Sequence, residues 1–123
     1  MHTTRQARCQ LFTSPRARSI HTRIVMNITS DDFAVAYAGT KAEMYNAKYV
    51  LNEYTMSVSY GGNCYGSGFW NKSDGQSGGS FEVCVWNTRT GDTMLAEDGN
   101  EVRGWMSLDA VHQLAQQILD GDA

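Results

Sequence analysis

Hydrophobic and polar positions change rhythm several times along the chain, and each change marks an element. Leu108, Val111, Leu114, Ala115, Ile118 and Leu119 recur three and four residues apart, with Asp109, Gln113, Gln116, Gln117 and Asp120 between them. A single apolar stripe on that period predicts an amphipathic helix. Ser107 stands where a hydroxyl caps the first turn, Asp109 suits the positive end of the helix dipole, and Gly121 permits a left-handed exit. Further back the period is two. Tyr54, Met56, Val58 and Tyr60 alternate with Thr55, Ser57 and Ser59, and Phe81, Val83 and Val85 alternate with Glu82, Cys84 and Trp86. Both runs predict strands with one apolar face.

The glycine-rich stretch 61–80 lies between these runs and predicts a hairpin centred on Asp74, in which paired residue numbers sum to 148. That register sets Tyr65 opposite Val83 and Phe69 near Phe81. Trp70, Trp86, Cys64 and Cys84 then share the other face, with the two cysteines as direct neighbours. Polar turns with a glycine, Asn87–Asp92 and Glu97–Asn100, delimit two more short strands, Thr93–Ala96 and Glu101–Met106.

At the N-terminal side, Thr29 and Ser30 before Asp31 and Asp32 predict a helix that ends at Gly39. Thr40-Lys41-Ala42-Glu43 has capping-box spacing and predicts a second helix burying Met44, Tyr45, Ala47, Tyr49 and Val50. One helix bent at Gly39 is the alternative. The expected fold is α+β: an antiparallel meander of about four or five strands, packed with the N-terminal helix or helices and a C-terminal helix.

Charge divides the chain more sharply than hydropathy does. Residues 1–25 carry Arg5, Arg8, Arg16, Arg18 and Arg23, no acid, and the only proline, Pro15. Residues 26–123 hold all thirteen acids against Lys41, Lys48, Lys72, Arg89 and Arg103, a balance of −8 inside a formal net charge of −3. The break predicts a basic leader at 1–25, disordered or not native, ahead of a single domain at 26–123. Three origins fit the leader: translation begun upstream of a natural start at Met26, a basic arm for a polyanion or partner, or an organellar transit peptide. No apolar h-region supports secretion, and no apolar run reaches the length of a membrane span. A cytoplasmic protein is expected, or an organellar one if the leader is a targeting sequence.

Candidate chemistry is sparse. Gly66-Ser67-Gly68 lacks the third glycine of a dinucleotide fingerprint and the Gly-Lys-Ser/Thr ending of a phosphate loop, so those glycines are read as a bulge or a close-packing position under Trp70 and Trp86. Cys9, Cys64 and Cys84 show no C-x-x-C spacing, and with His2, His21 and His112 they frame no zinc site. No cofactor and no metal are expected. A thiol enzyme using Cys64 or Cys84 with His112 is the catalytic alternative, but no nucleophile elbow supports it. The acidic balance argues against direct nucleic-acid contact by residues 26–123. Exposed aromatics beside Glu97, Asp98 and Glu101, with Trp70 and Trp86 as anchors, read instead as an interface for a basic protein or nucleoprotein surface.

An acidic, motif-free unit of this size, beginning Met26-Asn-Ile-Thr-Ser-Asp-Asp and built from a small sheet and helices, resembles small phage and mobile-element proteins of the anti-CRISPR type. The resemblance lies in size, charge and architecture over residues 26–123 and transfers no functional residue. It implies a non-enzymatic inhibitor in the host cytoplasm that blocks a nucleic-acid-binding defence complex. The other function considered is a small structural or accessory subunit with a basic targeting leader.

Overall fold

The computed structural model describes residues 17–20, 27–38, 43–62, 64–71 and 77–121. Seven strands form one sheet: β1 (Ala17–Ile20), β2 (Ala34–Ala38), β3 (Glu43–Leu51), β4 (Tyr54–Gly61), β5 (Gly68–Asn71), β6 (Ser77–Asn87) and β7 (Val102–Ser107). One helix, α1 (Leu108–Asp120), follows. Every pairing is antiparallel except that of β1 with β3.

The β3–β4 hairpin shows how local chemistry sets the sheet. Leu51 pairs with Tyr54, leaving Asn52 and Glu53 as the turn, and Asn52 takes φ 57°, a left-handed value that asparagine tolerates. Its side-chain Nδ2 then donates to the Leu119 carbonyl at 3.1 Å, tying the hairpin tip to the last turn of α1. At the first turn of that helix Ser107 Oγ accepts from Ala110 N at 3.1 Å, and at its last turn Gly121 exits at φ 79°. Both cap residues match the sequence reading.

The core lies between α1 and one face of the sheet. Leu108, Val111, Leu114, Ala115, Ile118 and Leu119 pack on Tyr49, Leu51, Met56, Val58, Phe81, Val83 and Val85, all buried. Phe69 and Phe81 meet at 4.9 Å between ring centroids, with Tyr60 and Phe33 against them. Burial of these side chains, at roughly 1.5–3 kcal/mol each, is the main force for the α-on-sheet arrangement. The opposite face is polar yet also buried. Asn46 Nδ2 donates to Ser57 Oγ and Ser59 Oγ, both at 2.8 Å, and its Oδ1 accepts from Lys48 Nζ at 3.1 Å.

Where helices were expected before residue 51, the chain is extended. Only a short 3-10 turn, Ser30–Asp32, follows Thr29, with Thr29 N donating to Asp32 Oδ2 at 3.4 Å. The capping signal is therefore used, but for a single turn before β2. In β3 the buried residues are Met44, Asn46, Ala47, Tyr49 and Leu51, so both faces are covered and a two-residue period mimics a helical one. Pairing with β4 from Met44 to Leu51 overrides the cap-based reading. Thr40-Lys41-Ala42 and Gly39 lie outside the described residues, as does most of the basic stretch 1–25. Of that stretch, Ala17–Ile20 run as β1 beside Lys48 to Leu51. No described helix is long and apolar enough to cross a membrane.

Candidate functional site

Each margin of β6 is filled twice. On one side β4 pairs from Tyr54 opposite Asn87 to Ser59 opposite Glu82, and β5 resumes with Gly68 opposite Ser80. Residues 60–67 thus stand against Phe81 alone. On the other side Thr93 bridges Trp86, Met94 N donates to Val85 O at 2.8 Å, and β7 resumes with Val102 opposite Cys84. Residues 94–101 stand against Val85 alone, so the two detours are equally long.

The first detour folds over the sheet. Gly61 N donates to Gly66 O and Cys64 N to Gly61 O, each at 3.0 Å, which closes the loop on itself. Gly66 lies so close to β6 that a Cβ there would sit 2.6 Å from Phe81 Cα and 2.9 Å from Glu82 N. Tyr65 N donates to Oε1 of the buried Glu82 at 3.0 Å. The predicted β5–β6 register is observed from Gly68–Ser80 to Asn71–Ser77, and its turn at Asp74 lies outside the described residues. The detour corrects the register's extension beyond Gly68. Val83 pairs with Val58 and Arg103 rather than with Tyr65, and Cys84 pairs with Ser57 and Val102 rather than with Cys64. Gly66 is a close-packing position as expected, but against backbone and not under the tryptophans.

Tyr65 completes its contacts on β7. The β6–β7 register slips between Phe81 and Val83, so Gly104 and Trp105 together oppose Glu82 as a β-bulge. Trp105 holds φ 55°, a conformation that costs a bulky residue about 1–2 kcal/mol. Its amide donates to Tyr65 O at 2.7 Å, and its indole stacks on the Tyr65 ring at 6.2 Å with planes 7° apart. The indole nevertheless remains 62% exposed.

The second detour carries the predicted acids. Ala96 N donates to Asn100 O and Gly99 N to Ala96 O, both at 2.9 Å, which shapes a tight turn with Gly99 at φ 84°. Asp98 accepts from Asn100 N and Asn100 Nδ2, both at 3.0 Å. Glu97 and Asp98 are exposed and Glu101 half-buried, and Leu95 beside them is 55% exposed. Arg103 crosses back from β7, donating Nη2 to Leu95 O at 3.3 Å. Burial lowers the Arg103 guanidinium from its usual value, and the charges of Asp98 and Glu97 act in the opposite sense. The three acids therefore share one margin, partly tempered by Arg103.

The two predicted tryptophans are not brought together. Trp86 is half-buried against Cys84 and Val102, opposite Thr55 and Thr93. Trp70 lies opposite Gly78, its exposed ring covering that glycine. Their β6 positions are separated by about 27 Å at a strand rise of ~3.4 Å per residue. Trp105, absent from the predicted set, is the large aromatic nearest the acids along the chain. Gly104 inside a strand-like run was the available signal, because an interior glycine there marks a bulge.

Cys64 and Cys84 are buried thiols, one in the first detour and one on β6. His112 Nε2 accepts from Ile28 N at 3.0 Å, so the imidazole is engaged in holding the N-terminal segment to α1. Among the described residues no three His, Cys, Asp or Glu side chains converge as metal ligands. No protein-family model, curated protein or solved structure matches the chain.

Proposed function

We propose that this protein is a non-enzymatic inhibitor that docks on a basic surface of a protein or nucleoprotein complex, as small acidic phage proteins of the anti-CRISPR type do. The observation that carries the reading is Trp105. A large aromatic held at positive φ, stacked on Tyr65 and still mostly exposed, is prepositioned to bury against something else. Leu95 adds apolar area on the same margin, and Glu97, Asp98 and Glu101 supply a polar rim of negative sign. Such a rim competes for Lys and Arg positions that the partner keeps for phosphates, and it accelerates encounter. The engagement of His112 by a backbone amide favours binding over thiol chemistry, since that imidazole is committed as an acceptor.

The test is capture of nucleic-acid-binding defence complexes on the immobilised protein at low and at physiological salt. Reversal of Glu97, Asp98 and Glu101 to Lys should weaken capture at least about tenfold and flatten its salt dependence. Trp105→Ala should weaken it by ~30-fold or more at either salt, as expected for a central aromatic anchor. Capture indifferent to both changes would refute the docking reading.

A further inference from the structure

The acidic margin has a second feature at its far end. Tyr54, Asn87, Thr90, Asp92, Thr93 and Met94 line an open hollow of about 390 Å³. Its wall is preformed. Asn87 N donates to Asp92 O and Gly91 N to Asn87 O, both at 2.8 Å, with Gly91 at φ 81°. Asn87 Oδ1 accepts from Arg89 N and Thr90 N, both at 3.0 Å, and Thr90 Oγ1 accepts from Asp92 N at 3.2 Å. With Thr88 N donating to Glu53 O at 2.9 Å, the amides of the turn are all engaged, and none of these bonds uses the Asp92 carboxylate. Asp92 is exposed, and Arg89 of the same turn is exposed too and is not part of the lining.

The lining decides the class of occupant. Among the described residues it contains one carboxylate, a phenol ring and two threonine hydroxyls, and no cationic side chain. Phosphates and carboxylates are disfavoured there, because nothing compensates their charge against Asp92. A planar cation suits the set: a guanidinium pairs with a carboxylate through parallel N–H donors and lies on an aromatic face. At the small end of the ~300–1,000 Å³ range of ligand pockets, an open hollow accommodates one protruding side chain better than an enclosed metabolite. Thr93 lies opposite Trp86 and the Trp105 bulge opposite Glu82, so the hollow and the exposed indole are about 14 Å apart along β6.

We infer that the Tyr54–Asp92 hollow is a socket for an arginine side chain of the basic partner. This rests on the docking reading for its partner, but its chemistry is testable without one. The probe is N-acetyl-arginine methylamide titrated into the isotope-labelled protein and followed by amide shifts. The neutral isostere N-acetyl-citrulline methylamide serves as the control. Saturable shifts centred on Thr90 to Met94, at least about tenfold weaker with the citrulline probe, are expected. Asp92→Asn should abolish the difference between the probes while leaving the dispersion of the spectrum intact. No localised shift, equal response to both probes, or an Asp92→Asn protein that still prefers the cation would each overturn the socket. If the probe fails while charge reversal at Glu97, Asp98 and Glu101 still weakens capture, the socket falls and the docking reading stands. If the probe binds while capture ignores those reversals, the socket stands and the acidic turn loses its role.

Discussion

The two detours leave the side of β6 for the same length of chain and end up in opposite circumstances. Residues 64–67 lie on the sheet, with Gly66 against backbone and Tyr65 bonded at both its amide and its carbonyl. Residues 94–101 stay at the margin, with exposed Leu95, Glu97 and Asp98 and an internally bonded turn. Loop length does not decide between these outcomes. A glycine at the point of closest approach does, together with a buried acceptor on the strand beneath. Where those are present, an excursion becomes part of the packed structure; where they are missing, it becomes surface available for contact.

The largest effect should come from giving each detour a methyl group. Gly66→Ala places a Cβ within contact limits of Phe81 and Glu82 backbone, which cannot yield as a side chain would, and should destabilise by about 3 kcal/mol. Gly99→Ala meets nothing within 4 Å and suffers only from φ 84°, so about 1 kcal/mol is expected. Denaturant unfolding of the two variants compares them directly, and equal losses would break the contrast.

The tie between the detours and β7 offers a smaller test. Trp105→Gly relieves the positive φ but removes the stack on Tyr65, each a matter of ~1 kcal/mol, so net stability should stay within about 1 kcal/mol of the parent. Trp105→Ala keeps the strained backbone and loses the stack, and should be the less stable of the two by ~1 kcal/mol. A Trp105→Gly protein that unfolds readily would mean that the indole is chiefly structural.

A third effect is set by pH and leaves the detours aside, since neither contains a histidine. Burial lowers the His112 pKa from 6.5 and Asp109 only partly opposes this, in keeping with an Nε2 that accepts from Ile28 N. A depressed folded-state value means that the imidazole favours folding fully above the unfolded pKa. That contribution is lost as pH falls through the folded value. Stability should decline as pH falls below about 6.5, the direction set by the lowered His112 value, and chemical denaturation followed across that range checks it. His112→Gln, whose amide oxygen also accepts, should not show that part of the decline. Hydrogen exchange should meanwhile keep the same ratio of protection between Trp105 and Gly99 amides throughout.

Legibility in the sequence tracked how local the determining physics was. The buried stripe of α1 and its Ser107 and Gly121 caps were readable because period and cap chemistry agree within one segment. The Phe69–Phe81 layer and the β5–β6 register were readable because alternation fixes a face once a turn centre is chosen. β3 was misread because Met44 and Asn46 are buried on one face and Ala47, Tyr49 and Leu51 on the other, so no clean alternation survives. The detours were invisible because a register sum assumes continuous pairing, while Gly66 and Glu82 draw the chain out through contacts distant in sequence. Of the candidate site, Glu97, Asp98 and Glu101 lie along one margin because a single tight turn carries them. The pairing of Trp105 with Tyr65 depends on a bulge that only the folded sheet reveals.

The Asn46 amide touches both Ser57 and Ser59 across the seam between β3 and β4. Apolar neighbours on the other side, Ala47 beside Val58 and Tyr49 beside Met56, would tolerate sliding by two residues with modest loss. Sliding by two so that Asn46 faces Gly61 would strip the amide of one hydroxyl while it stays shut away from water. A single buried carboxamide thus acts as a proofreader for the hairpin, rejecting misaligned zippering that greasy contacts alone would let pass.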